Sequence, residues 1–435
     1  MKSYYIITIG CHMNQADSER IEAFLSENKY QALDNYIKAD LVILTTCGIR
    51  QAAEDRVYGL VNQIRKTNPR VKIVITGCLA NREDVQKRLK GKVDLFMPIN
   101  ELPNLLALLH NANHQSSSSQ TELRRLSGEK YLGITPKYYS SFTAYVPIGN
   151  GCNNFCSYCV VPYARGREVY RASSDIIKEV ENLLAKGYKE IVLIAQNVNS
   201  YRSGRIDFPL LLKKIASLPG NFWLRFFSSH PKDLSDELIR VMSASDKICH
   251  HLHLAVQSGD DDILQAMNRR YTAEHFISLI EKIRQAKPGI AISTDVIVGF
   301  PGETKKQFQN TAKLFKKLKF DMAYISQYSP RPGTVAWKMK DNVSELEKKE
   351  RELTLENILR QTSLKINQDY VDRVVKVLVD RKTKKGVYQG KTSSFKSVQF
   401  SSSQDLIGRF VLLRVKAVKS FGLSADLVEV LDDNL

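Results

Sequence analysis

The sequence predicts an α/β protein in three parts: an amino-terminal parallel α/β sheet domain, a central incomplete (β/α)6 barrel and a small carboxyl-terminal antiparallel β-barrel. Three observations carry this expectation. Strand-length apolar runs alternate with amphipathic helical stretches from the amino terminus to about residue 110, and the same alternation resumes after a polar, serine-rich break, "HNANHQSSSSQTELRRLSG". Beyond a charged helix, short strands then follow one another with only turn residues between them. A chain of 435 residues is long enough for about three domains. The expected boundaries are 1–110, a linker over 111–135, 136–368 with a trailing helix, and 369–435.

In chain order, the first domain reads as "YYIITIG", a helix from Asp17 to Asn28, "DLVILTT", a helix over "IRQAAEDRVYGLVNQIRK", "VKIVITG", a short helix after Asn81, and "VDLFMPI". Continuous apolar strands separated by amphipathic helices indicate a parallel sheet covered on both faces. Cys11, Cys47 and Cys78 each fall at the carboxyl end of a strand. Those ends line the usual ligand-binding edge of an open parallel sheet, so topology gathers three residues that sequence scatters. The second region offers "FTAYVPIG", "EIVLIAQ", "FWLRFFSS", "HHLHLAV", "IAISTDVIVGF" and "MAYISQYS", two units short of the eight-stranded barrel. Its first β/α loop, "GCNNFCSYCVVPY", holds Cys152, Cys156 and Cys159. After "SELEKKERELTLENILRQTSLKINQDYV" come "VVKVLVD", "GVYQGK", "FKSVQF", "RFVLLRVKAV" and "LSADLVEV", which suit an oligonucleotide-binding type of barrel.

Composition narrows the function. Sixty-four Lys and Arg against forty-six Asp and Glu give a formal charge of +18, which favours a polyanionic partner, nucleic acid first. The absence of an apolar run of ~18 residues argues against a membrane span and a membrane partner. "MKSYYIITIGC" reads as a first strand rather than a signal peptide, so a cytoplasmic protein is expected. Seven cysteines in such a chain point to metal binding or catalysis before disulfides.

Zinc is the first rival for the loop cysteines. A structural zinc site needs four protein ligands, and no fourth lies nearby; the downstream "CHHLH" alternates as a buried strand does. A four-iron four-sulfur cluster on three thiolates fits better, since one iron keeps an open position. Elsewhere, "GFPGET" closes a strand and opens a helix, where Gly299 and Gly302 would permit close approach of a cofactor. Arg165 and Arg167 suit a phosphate or carboxylate, with plain surface solvation as the alternative. Cys249 reads as a small core hydrophobe.

The C-x3-C-x2-C spacing, with Tyr158 just before the last cysteine, resembles that of the radical S-adenosylmethionine enzymes. A string of motifs in order narrows the likeness: "GCHMNQADSE", "TTCGIR", "GCLA", "GCNNFCSYCVVPYARGRE", "QNVNSY", "SSHP", "QSGDD", "MNRRYT", "DVIVGFPGET" and "YSPRPGT". Over nearly its whole length the chain resembles the methylthiotransferases, and among them the tRNA 2-methylthio-N6-isopentenyladenosine synthases. The resemblance implies a transferase with two four-iron four-sulfur clusters. One, on Cys152, Cys156 and Cys159, would take S-adenosylmethionine at its open iron; a second would sit on Cys11, Cys47 and Cys78. It implies a cofactor-facing set of Tyr158, Gln196, Asn199, Ser229, Gln257, Asp295, Gly299 and Gly302, and an RNA-binding TRAM domain around "GKTSSFKSVQF". The implied partners are a tRNA anticodon loop, an electron donor of flavodoxin or ferredoxin type and a sulfur donor, with the protein a monomer. His12, Thr45, Ala255 and Val335 depart from residues frequent in the family, and none is a cluster ligand. Two alternatives stay open at this point: methylthiolation of N6-threonylcarbamoyladenosine in tRNA, and a non-catalytic, zinc-stabilised RNA-binding protein.

Overall fold

The computed structural model describes residues 2–48, 51–110 and 130–431. Its first unit is a five-stranded parallel sheet of β1 (Ser3–Thr8), β2 (Gln31–Ala32), β3 (Leu41–Thr46), β4 (Lys72–Gly77) and β5 (Leu95–Phe96), in the order β2-β1-β3-β4-β5. Helix α1 (His12–Glu27) covers one face and α2 (Gln51–Thr67) the other. Strand β3, buried throughout, divides its side chains between them. Leu41 and Ile43 pack with Ile21 and Leu25 of α1, whereas Val42 and Leu44 pack with Val57, Val61 and Ile64 of α2. The order of the strands reverses between β1 and β3, and Cys11 and Cys47 follow those two strands, flanking the crevice where such sheets bind ligands. Cys78 follows β4.

Three details differ from expectation. Helix α1 starts at His12 rather than Asp17, because Met13, Asn14 and Ala16, ahead of the expected start, are buried where the barrel docks. The polar residues of this helix are an interior: Arg165 and the Tyr139 amide bond to them from the following domain, and Tyr131 from the connecting segment. Edge strand β2 is too short to show a period. The expected linker lies outside the described residues as far as 129; beyond it, Tyr131 and Leu132 are buried with Leu102 and Leu105.

The central unit has the six expected parallel strands: β6 (Thr143–Pro147), β7 (Glu190–Ile194), β8 (Trp223–Phe226), β9 (His251–His253), β10 (Ala291–Val298) and β11 (Met322–Gln327). Bridges Leu224–Ile248 and Ser229–Leu254 join its two halves into one curved sheet. Strand alternation sorts the side chains of β7: Ile191 and Leu193 enter the helix-covered core, while Val192 and Ile194 meet Met13 and Ala16 of α1. The first domain therefore packs against the opposite face of this open barrel.

The third unit closes a five-stranded barrel from β12 (Val374–Lys382), β13 (Val387–Thr392), β14 (Ser397–Ser401), β15 (Phe410–Lys419) and β16 (Gly422–Val430), in the order β12-β13-β14-β16-β15. The expectation of an antiparallel barrel needs one refinement: β14 and β16 run parallel, which is how a five-stranded Greek key closes. This barrel is seated on the central one. The Arg225 guanidinium donates to the carbonyls of Ser393 (3.1 Å) and Thr392 (3.3 Å), and Phe395 packs against Phe227 and His251.

Candidate functional site

The sheet-edge cysteines do converge. A Cβ placed on Gly10 would lie 2.7 Å from the Cys47 Cβ, and one placed on Gly48 would lie 3.2 Å from the Cys78 Cβ. Cys11 sits at the head of α1, where its thiol donates to Asn14 Oδ1 (3.6 Å), and its titration feels Cys78. Cys47 and Cys78 are buried, whereas Cys11 is exposed as a residue although its thiol is largely shielded from solvent.

The loop trio is held by backbone. The Cys152 amide donates to Gly166 O (3.1 Å), the Cys159 amide to Cys156 O (3.0 Å) and the Gly151 amide to Gln196 Oε1 (2.6 Å). A second loop, Met267–Arg269, cradles the first: the Ser157 amide donates to Met267 O (3.0 Å), Asn268 Nδ2 to Phe155 O (2.9 Å) and Arg269 Nη1 to Cys156 Sγ (3.6 Å). Sequence reasoning quoted "MNRRYT" without assigning Arg269 a role; two adjacent arginines just after a short helix were the available signal.

The two trios face each other. A Cβ on Gly48 would also lie 3.3 Å from Val160 Cγ2, Asn81 Nδ2 donates to Ala164 O (3.0 Å), and the titration of Cys159 feels Cys78. Arg165 lies beside the sheet-edge trio, its charge acting on Cys11 and Cys78. It is buried, pairs with Asp17 (2.6 Å), and donates to Asn14 Oδ1 (3.1 Å) and Asn150 Oδ1 (3.0 Å). This corrects the surface alternative for Arg165. Burial works against its charge, Asp17 more than offsets that, and its pKa stands above the ordinary value. Arg167 is exposed, its guanidinium 4.4 Å over the Phe155 ring.

Burial raises the thiol pKa of Cys11, Cys152 and Cys159. The bare thiols therefore keep their protons at neutral pH, and a bound metal group would have to displace them. None of the six is in a disulfide. Among the described residues no His, Cys, Asp or Glu set is drawn tightly enough for a single metal ion. Two open trios of thiols suit a polynuclear group that accepts a ligand from outside the chain. The Ser229 hydroxyl, buried at the carboxyl end of β8 without a protein partner, is an unfilled hydrogen-bonding position of the kind a bound cofactor satisfies.

The remaining expected residues are placed as follows. Tyr158 is half-buried against Phe300 and Met267. Gln196 braces the cysteine loop, and Asn199 Nδ2 donates to His230 O (3.0 Å) while its Oδ1 accepts from the His230 amide (2.9 Å), so Asn199 shapes a turn. Gln257, after β9, holds φ +68, a costly conformation for a residue with a Cβ. Asp295 Oδ2 lies 3.2 Å from His253 Nε2. Gly299 has a further cause: at φ +69 a Cβ there would strike Lys348 Cγ at 2.3 Å, so helix packing also favours glycine. Gly302 faces open space and its amide donates to Asn342 Oδ1 (2.8 Å). His251 and His253 share the Ser293 hydroxyl at 2.9 and 3.0 Å, as hydrogen-bonding core residues, and Cys249 packs with Trp223, Leu378 and Phe410.

Comparison with known proteins agrees with this geometry. Residues 146–315 match the Radical SAM superfamily, and residues 3–98 match Uncharacterized protein family UPF0004. In fold the chain is similar to the radical S-adenosylmethionine methyltransferase TsrM from Kitasatospora setae, solved with cobalamin and a [4Fe-4S] cluster bound (TM-score 0.56, 16% identity, 78% of this chain and 77% of that one). It is also similar to the cobalamin-dependent S-adenosylmethionine radical enzyme OxsB (TM-score 0.55, 10% identity, 82% and 56%). The tRNA-2-methylthio-N(6)-dimethylallyladenosine synthase of Acetivibrio thermocellus is 40% identical over 98% of this chain and 91% of its own length. That of Carboxydothermus hydrogenoformans is 40% identical over 98% and 99%. Such identity across both whole chains means that this chain belongs to the family of tRNA-2-methylthio-N(6)-dimethylallyladenosine synthases, with a barrel of the radical SAM superfamily.

Proposed function

We propose that the chain is a tRNA methylthiotransferase that replaces the C2 hydrogen of N6-isopentenyladenosine, next to the anticodon, with a methylthio group. The observation that carries this is the approach of the two cysteine loops across the domain boundary, with Gly48 beside Val160 and Asn81 bonded to Ala164, which supports reading both trios as one site. Four-iron four-sulfur clusters on Cys152, Cys156, Cys159 and on Cys11, Cys47, Cys78, with S-adenosylmethionine, would supply one-electron cleavage to a carbon radical and a sulfur species for insertion. The relatives' names support the substrate, and the +18 charge supports an RNA partner.

The chain's own residues bind and orient. Gln196 fixes the cysteine loop through the Gly151 amide, and Arg269 places positive charge on Cys156. Ser229, Gln257, Asp295 and Tyr158, with backbone at Gly299 and Gly302, form the cofactor-facing surface in this reading. The carboxyl-terminal barrel gives the RNA a basic surface, and a splayed anticodon-loop base reaches this site without a duplex having to open. The division into 1–110, 136–368 and 369–435 assigns sulfur delivery, radical generation and RNA binding in turn. A cytoplasmic monomer, served by a separate electron donor and sulfur donor, completes the reading; among the described residues no helix is long and apolar enough to cross a membrane.

Nucleoside mass spectrometry of tRNA from cells lacking this protein tests it. The 2-methylthio-N6-isopentenyl nucleoside should vanish while its N6-isopentenyl precursor accumulates. Loss of the threonylcarbamoyl-derived methylthio nucleoside instead would move the substrate to the other class.

A further inference from the structure

The two cysteine-bearing domains are joined differently on their two sides. On the α1 side they share a packed seam: Met13 and Ala16 against Val192 and Ile194, His12 stacked on Tyr145 with ring centroids 4.5 Å apart, and the buried Arg165–Asp17 pair. On the α2 side the join is a buried arginine. Arg331 Nη1 donates to Gln51 Oε1 at 2.8 Å and to Glu54 Oε2 at 3.2 Å, in an ion pair whose side chains are each 5% exposed.

Both ends of this link lead to cysteines. Gln51 opens α2 just beyond Cys47. The loop that carries Arg331 is tightened by Thr334 Oγ1 donating to Arg331 O (2.7 Å), and is pinned where the Ala336 amide donates to Ser157 O (2.7 Å). Ser157 lies between Cys156 and Cys159. The α1 seam, together with the Asn81–Ala164 hydrogen bond near the cysteines, gives little leverage against a rotation of the sheet about α1, and such a rotation would change the gap between the trios. A strut on the far side of the sheet prevents it.

We propose that Arg331 is a positioning residue. It sets the rotation of the amino-terminal sheet on the barrel, and so the separation of Cys47 and Cys78 from Cys159, before any RNA arrives. The proposal rests on the reading of both trios as cluster sites.

Arg331→Gln is a clean probe, because Glu54 keeps Arg82 (2.5 Å) and the Tyr58 hydroxyl (2.7 Å) and is not left as an unpaired buried charge. The test is electron paramagnetic resonance of the reduced, two-cluster protein without RNA, followed by assay with isopentenylated tRNA. The wild-type spectrum should show spin–spin broadening between clusters. Arg331→Gln, with iron content unchanged, should show two independent signals, and Arg331→Lys should restore part of the broadening. Methylthio product per 5′-deoxyadenosine should fall on the order of 10²-fold in Arg331→Gln, the cost of a small misplacement, while 5′-deoxyadenosine still forms. An unaltered interaction spectrum and product ratio in Arg331→Gln would overturn the proposal. Iron for only one cluster in the wild-type chain would instead remove the reading beneath it, and the two failures are told apart by the iron count.

Discussion

Arg269 shows how much the cysteine loop depends on a residue outside it. Its guanidinium reaches Cys156 Sγ at 3.6 Å, and also donates to Tyr271 Oη (2.7 Å) and to Ala255 O (2.6 Å), so it is held in place from three directions. Positive charge and hydrogen bonds at a cluster sulfur favour the reduced form. Arg269→Gln should therefore lower the midpoint potential of the cluster at Cys152, Cys156 and Cys159, read by a redox titration followed by paramagnetic resonance; an unchanged potential would exclude the contact as a tuning element. A second residue-scale consequence concerns pH. Burial, with help from Arg269 and Lys232, pushes the His230 pKa down to about 2. The unfolded chain takes a proton there near pH 6.5, whereas the folded chain does not, so stability is full above that pH and falls as pH drops below it. Between pH 7 and 5.5, where most carboxylates stay ionised, His230→Gln should flatten the loss of stability by up to about 1.4 kcal/mol per pH unit, measured by urea unfolding.

At the scale of elements, α1 makes the most demands. Its first turn, before Asp17, was missed because His12, Asn14 and Gln15 make it look like loop in a sequence window, and only the docked barrel buries Met13, Asn14 and Ala16. The six barrel strands were legible, since alternation and length mark them locally, and so was the convergence of Cys11, Cys47 and Cys78, which follows from parallel topology alone. Partnerships across domains were not legible: Asp17 lies 148 residues from Arg165, and Glu54 lies 277 from Arg331. Gly299 marks the same limit, since its packing against Lys348 on a distant helix could not be read from the sequence. Removing one partner of a buried pair leaves an uncompensated charge. Arg165→Ala should therefore cost about 3–5 kcal/mol in chemical denaturation of the first two domains. Asp17 keeps the Tyr131 hydroxyl, so a cost well below 1 kcal/mol would show that the tyrosine alone satisfies it.

At the scale of the whole molecule, the proposed division of tasks among three domains can be tested part by part. The carboxyl-terminal barrel is not a loosely tethered module: Phe410 and Leu378 cover Trp223 and Cys249, and deleting the barrel would expose that cluster. Surface charge substitutions are the better test of its role. Lys384 and Lys385 lie exposed on the turn after β12, beside a shallow groove lined by Val387, Gln389 and Gln399. Replacing both by glutamine should weaken tRNA binding without loss of iron. It should also reduce the log–log salt slope by about 0.7 for each single-strand phosphate contact removed. An unchanged slope would place the RNA elsewhere. The central claim is the division of labour between the two trios, and one assay addresses it directly. Cys78→Ala protein, reduced anaerobically with S-adenosylmethionine and isopentenylated tRNA, is analysed for 5′-deoxyadenosine and methylthiolated nucleoside in the same tube, beside Cys156→Ala. Cys78→Ala should still form 5′-deoxyadenosine but no methylthio product, and Cys156→Ala should form neither. Full methylthiolation by Cys78→Ala, or substantial 5′-deoxyadenosine from Cys156→Ala, would contradict the account.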